Sequence, residues 1–204
     1  MSEANDRAAH PITFSRRAAL RTLGASVGAV AVWPYLSDQA AEAFAAIQQT
    51  KAAPAPVFLS AAQYAAVDAV AETIIPADEH SPGARAARVA DYIDLLLSES
   101  DAETRQTWTG GLAALEAESR RRFQAPFDRL TPAQAAAILG DAAAREQAPA
   151  TVLEAFFVTT KDAVVRGYYT SEIGIHQELA YKGNRFLREF VGCTHPEHGF
   201  EPRS

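Results

Sequence analysis

The chain has 204 residues, 48% of them apolar, 9% aromatic and 22% charged, with a formal net charge of -6. These values describe a globular protein and exclude a disordered, collagenous or disulfide-framework chain, and the acidic balance argues against nucleic-acid binding, which needs a basic surface or stripe. A single cysteine, Cys193, rules out an internal disulfide and any multi-cysteine zinc or iron–sulfur site held by this chain alone.

The first segment reads as an address. Ser15-Arg16-Arg17-Ala18-Ala19-Leu20-Arg21 precedes a charge-free stretch from Thr22 to Ser37, and Ala41-Glu42-Ala43 then supplies the small-x-small pattern of a signal-peptidase site. The paired arginines, with Ser15 before them and Leu20 and Arg21 after, resemble a twin-arginine (Tat) export signal, although Ala19 stands where the usual aromatic or Leu falls. Gly24, Gly28 and Pro34 make the apolar stretch too mild for a stable membrane span. The expected organisation is a signal over residues 1–43, a linker over 44–57 around Ala52-Ala53-Pro54-Ala55-Pro56, and a helical domain over 58–204. The implied destination is the periplasm or the outer face of a bacterial cytoplasmic membrane. Residues 1–43 carry four basic and four acidic side chains, so their removal leaves the net charge at -6.

Helix signals follow in order. Ser60 and Gln63 form a capping box, with Tyr64, Val67, Val70, Ala71, Ile74 and Ile75 on one face behind them, and Pro76 ends that helix. Pro76 to Gly83 is a polar loop. A second helix is expected from about Arg85 to Leu97, with Val89, Tyr92, Ile93, Leu96 and Leu97 inward. A third starts near Asp101 and carries Trp108, Leu112, Leu115 and Phe123, with Gly110-Gly111 weakening it. Thr131-Pro132-Ala133-Gln134 starts a short helix that ends near Gly140 or a little beyond. Val152, Leu153, Phe156, Phe157, Val164, Val165 and Tyr168 trace a long one, and Glu172 to Val191 is mixed. With no alternating strand pattern, the fold class is all-α: a compact bundle of about five or six helices after the signal segment.

Signatures of self-contained chemistry are missing from the sequence. It has no Gly-x-Gly-x-x-Gly, no phosphate loop, no Glu-x-x-His and no nucleophile elbow. Cys193, His195 and His198 offer three ligand types in a Pro/Gly-bearing tail with no obvious fourth. Asp78, Glu79 and His80 have acid–base character but read as a solvated loop. Arg120-Arg121-Arg122 point in different directions on a helix, as a solvated face or an acidic-partner surface would have it. The region of Tyr168, Tyr169, Thr170 and Ser171, with Tyr181 beyond it, is the candidate partner interface, because tyrosine combines a large apolar ring with a hydroxyl. Two readings of the pair stand: both rings close the core, or one turns inward and the other toward a partner.

Ala71-Glu72-Thr73-Ile74-Ile75-Pro76-Ala77-Asp78, Pro82-Gly83-Ala84, Asp91-Tyr92-Ile93-Asp94, Gly167-Tyr168-Tyr169-Thr170-Ser171, Ile173-Gly174 and Gly183-Asn184 together resemble the gluconate 2-dehydrogenase subunit 3 family. The resemblance spans the leader and nearly all of the domain behind it. It implies a non-catalytic small subunit with no catalytic, cofactor-binding or metal residues of its own. Its implied companions are an FAD-binding large subunit of the glucose–methanol–choline type, which oxidises a sugar, sugar acid or polyol, and a cytochrome c subunit or other acceptor. The small subunit would support maturation of the flavoprotein and its passage through the Tat translocon. The alternatives from other classes are a small periplasmic helical enzyme using the Asp78–His80 loop or the Cys193 tail, and a free-standing envelope binding module.

Overall fold

Among the described residues of the computed structural model there are seven α-helices, one 3-10 turn and one π-turn, and no strand. Those residues are 36–50, 53 and 55–181. The leader motif from Ser15 to Arg21, Gly183-Asn184 and the tail with Cys193, His195 and His198 lie outside them. The chain divides into a unit Met1–Leu36 and a unit Ser37–Ser204, and every element below belongs to the second.

The first helix, α1 (Asp38–Gln48), lies across the boundary at residue 43 that the sequence suggested. Its local signals are sufficient: Ser37 accepts a hydrogen bond from the Ala40 amide, Asp38 sits in the positive first turn, and Ala40 and Phe44 form an i, i+4 apolar pair, both buried. The helix runs antiparallel to α4. Ser37 donates from its amide (3.0 Å) and hydroxyl (2.5 Å) to Glu99 at one end, and Phe44 meets the Tyr92 ring edge-on, centroids 5.4 Å apart, further along.

Helix α2 (Ala61–Ile74) begins at the Ser60/Gln63 capping box and buries Ala66, Val67, Val70 and Ala71. The expected single helix over 85–97 is instead two pieces, α3 (Gly83–Ala86) and α4 (Val89–Glu99). The break is Arg88, a non-glycine residue at φ 59°, a conformation that costs about 1–2 kcal/mol. Its guanidinium grips buried Asp91 through Nε (2.7 Å) and Nη2 (3.1 Å), and the Tyr64 hydroxyl donates to the same carboxylate at 2.8 Å. Burial, reinforced by the bond to Asp91, pushes the Tyr64 hydroxyl above the usual tyrosine range, so it stays a donor at any physiological pH.

Helix α5 (Ala102–Phe123) starts from an Asp101 cap and runs unbroken through Gly110-Gly111. Arg105 reaches back to the Leu97 and Ser98 carbonyls, closing the end of α4, and lies over the Phe58 ring. The three consecutive arginines all face carboxylates. Arg120 lies 3.7 Å from Glu116, Arg121 makes a bidentate pair with Glu118, and Arg122 joins Glu118 to Asp141. Arg121 and then Arg122 hold the Glu118 carboxyl down at about 2, so it stays ionised and the cluster is compensated rather than a basic patch.

A 3-10 turn, Phe127–Arg129, leads to α6 (Pro132–Ala143), which has the predicted Thr131/Gln134 box and extends one turn past Gly140. The long α7 (Val152–Tyr169) starts from a third capping box, Thr151/Glu154, and packs against α4, α5 and α6. The core centres on Trp108, Leu112, Leu115, Ile138, Phe156 and Val164. Of the apolar residues that trace α7, Val152, in the first turn, and Val165, one position past the buried Val164, are exposed.

Candidate functional site

The motif segments among the described residues, scattered over about a hundred positions from Ala71 to Gly174, meet at one junction. The first is the loop after α2. Glu72, on the last turn of α2, accepts from the Ala77 amide (3.2 Å) and the Arg85 amide (2.9 Å), tying both ends of the loop to the helix. Asp78 accepts from the amides of His80 (2.8 Å) and Ser81 (2.7 Å), and these bonds, His80 first, hold its carboxyl below the usual range. Gly83 closes the loop at φ +82°, where an added Cβ would stand 2.6 Å from the Ala77 nitrogen.

This geometry delivers Ser81 inward, where its hydroxyl shares a short hydrogen bond with the Tyr168 hydroxyl and accepts from the Gly83 amide. Tyr168 is 1% exposed, so its ring belongs to the core and its oxygen has a partner there, as a buried phenol requires. One residue earlier, Gly167 lets α7 press onto α4: a Cβ at that position would lie 2.8 Å from Cδ1 of Tyr92. Tyr92, from the Asp-Tyr-Ile-Asp segment, is thus clamped between Gly167 and Phe44 of α1. The two aspartates of that segment are also structural. Asp91 holds Arg88 and Tyr64, and Asp94 accepts three consecutive amides, Val57 (2.5 Å), Phe58 (3.0 Å) and Leu59 (2.7 Å).

On the far side, Ser171 is buried, donating to the Tyr168 carbonyl (2.6 Å) and accepting from Gly174 (3.0 Å). The π-turn Gly174–Glu178 follows, with Gly174 so close to the Tyr168 carbonyl that a Cβ would sit 2.1 Å from it. The Glu172 amide donates to Gln48 at the end of α1.

The outward rim of this junction is apolar. Tyr169, edge-on to Tyr168 with centroids 5.2 Å apart, is 39% exposed, and Val165 is its i, i+4 neighbour on the same open face. Leu179 and Tyr181, at the end of the π-turn that packs back on α7, are 57% and 48% exposed. Of the residues read from the sequence as a candidate partner surface, Tyr168 and Ser171 are enclosed and serve the core, whereas Tyr169, Thr170 and Tyr181 face solvent. Val165 and Leu179, also exposed, are not among the residues read from the sequence as that surface. The four-residue spacing from Val165 to Tyr169 was the available signal, but it was masked by the adjoining Val164, which does face inward.

The loop residues considered for acid–base chemistry are all exposed. Glu79 and His80 are open to solvent and paired only with each other, 3.3 Å apart, and Asp78 is occupied with its own backbone. Among the described residues no group of three or more His, Cys, Asp or Glu is placed to hold a metal ion, and no helix is long and apolar enough to cross a membrane. A surface depression of about 500 Å³ between α5, α6 and the start of α7 is lined by Ala114, Ala117, Ile138 and Val152 and by the compensated Glu118–Arg122 cluster.

The described motif residues thus build the interior of a helical domain and leave an apolar, tyrosine-bearing rim at its surface. Residues 61–186, more than half of the chain, match the gluconate 2-dehydrogenase subunit 3 family, and the chain belongs to that family, named for one subunit of a dehydrogenase complex. Comparison with curated proteins and with solved structures found no match.

Proposed function

We propose that this chain is the non-catalytic small subunit of an FAD-dependent dehydrogenase of a sugar, sugar acid or polyol. Its companion is a flavin-bearing large subunit of the glucose–methanol–choline type, and a cytochrome c subunit or other acceptor takes the electrons. The chain supports maturation of the large subunit and, through Arg16 and Arg17, takes it across the cytoplasmic membrane by the twin-arginine route to the periplasm. The observation that carries the reading is the use made of the family motifs. Glu72, Asp78, Gly83, Asp91, Asp94, Gly167, Ser171 and Gly174 are each engaged in holding the junction together. A twin-arginine signal on a chain without a cofactor cradle makes sense when the folded, cofactor-loaded cargo is a bound partner.

The deciding experiment is co-purification from the native host followed by a flavin spectrum, with a paired Arg16→Lys/Arg17→Lys variant. The expected result is association with a flavoprotein, and flavoprotein activity stranded in the cytoplasm in the variant. Flavin or substrate oxidation by the lone recombinant chain, or normal export of the partner in the variant, would overturn the reading.

The docking face has its own test. Tyr169→Ala should weaken the complex by about 2 kcal/mol, roughly thirtyfold, as loss of an aromatic anchor does, with little change in the melting temperature of the isolated subunit because the ring is already partly in water. A lower melting temperature with unchanged affinity would assign Tyr169 to the core instead.

A further inference from the structure

We infer that α1 is a permanent strap of the folded domain, and that the chain is not cut after the Ala41-Glu42-Ala43 motif. This rests on the leader reading above only for its biological setting, since the strap itself is a statement about packing. The motif that looks like a peptidase site occupies the middle of α1, with buried Ala40 before it and buried Phe44 after it. Proteases act on chain that has left its helix and opened to an extended form, so cleavage here is limited by how readily α1 undocks.

Three separate contacts oppose that opening. At the start, Ser37 is held by both oxygens of Glu99, the last residue of α4. In the middle, the Phe44 ring lies against Tyr92. At the end, the Gln48 side chain accepts the Glu172 amide, just beyond the C-terminus of α7. The strap therefore spans α4 from end to end and finishes at the junction. A cut after Ala43 would discard the Ser37–Glu99 anchor and buried Ala40 together, and would leave Phe44 as a charged amino terminus on an apolar seat. The contact with Tyr92, the ring on which Gly167 also packs, would then hang on a chain end with no helix before it. Leader removal, where it takes place, falls before Ser37.

Two measurements on the full chain decide this. Hydrogen exchange of the purified protein should show the amides of residues 42–48 protected by about a hundredfold or more over open-chain rates, and Phe44→Ala should lose that protection while α5 and α6 keep theirs. Open-chain exchange across α1 in the unmodified protein overturns the strap. The intact mass of the chain recovered outside the cytoplasmic membrane should correspond to an amino terminus at Ser37 or earlier, and a chain beginning at Phe44 overturns it. Failure to recover any exported chain would count against the leader reading, and the exchange result would still decide the strap.

Discussion

Asp94→Ala is expected to lower the stability of the domain by about 3 kcal/mol or more, which for a domain of this size is a fall in melting temperature of roughly 6–12 °C. Asp94 is 2% exposed, and its carboxylate receives three amides in a row, the whole polar demand of the turn that delivers the chain into α2. Without it the Leu59 amide is stranded in the interior and the Val57–Leu59 segment has nothing to hold it against α4. Asp94→Asn separates geometry from charge. One oxygen, Oδ1, serves both Phe58 and Leu59, and a carboxamide oxygen correctly turned keeps those two bonds. Only Val57, whose side chain is in water, loses its acceptor. The Asn variant should therefore fall between wild type and Ala in chemical denaturation. An Ala variant within about 0.5 kcal/mol of wild type would show that the turn finds other partners, contrary to this account.

The second large effect lies at the paired glycines of α5, where one substitution should have opposite signs at adjacent positions. A Cβ on Gly111 would stand 2.1 Å from Cδ2 of Phe156, a buried ring packed edge-on against Trp108 with centroids 5.4 Å apart. Neither ring has room to retreat, so Gly111→Ala should cost about 2–3 kcal/mol, at the upper end of overpacking penalties. A Cβ on Gly110 meets nothing within 4 Å, and there Ala should stabilise by about 0.5–1 kcal/mol through helix propensity alone. Equal effects at the two sites would mean that α5 and α7 are not in the close register described.

The pair also shows where a linear reading stops. Gly110-Gly111 looks like a weak point because propensity is a property of one helix at a time. The helix is continuous because the tolerance that glycine gives up in propensity is returned as a close approach to Phe156, and that partner lies 45 residues away in the chain. The single helix expected over 85–97 failed for a related reason. Nothing local to Arg88 announces a left-handed residue, and it is the Asp91 carboxylate, already engaged by Tyr64 from another helix, that holds Arg88 in place.

The tyrosine pair divides in the same way. Composition and spacing put two large amphipathic rings at the end of a helix but left their directions open. Tyr168 turns inward because Ser81 is waiting for its hydroxyl, and Ser81 is there only because Glu72, Asp78 and Gly83 bend the preceding loop. Tyr169, one hundred degrees further round the helix, has no such seat and remains at the surface.

What a reader of the residues alone could know was whatever depends on near neighbours. The all-α class, two of the three capping boxes, most of the inward stripes and the family motifs rest on periods and caps a few residues long, and these are written locally. The docked α1, the break at Arg88, the sense of the glycines and the choice of which tyrosine turns inward came from packing. Each depends on a contact between segments far apart in the chain, for Arg88 the Tyr64 bond that fixes its Asp91 partner, whose energy exists only once the helices have closed on one another.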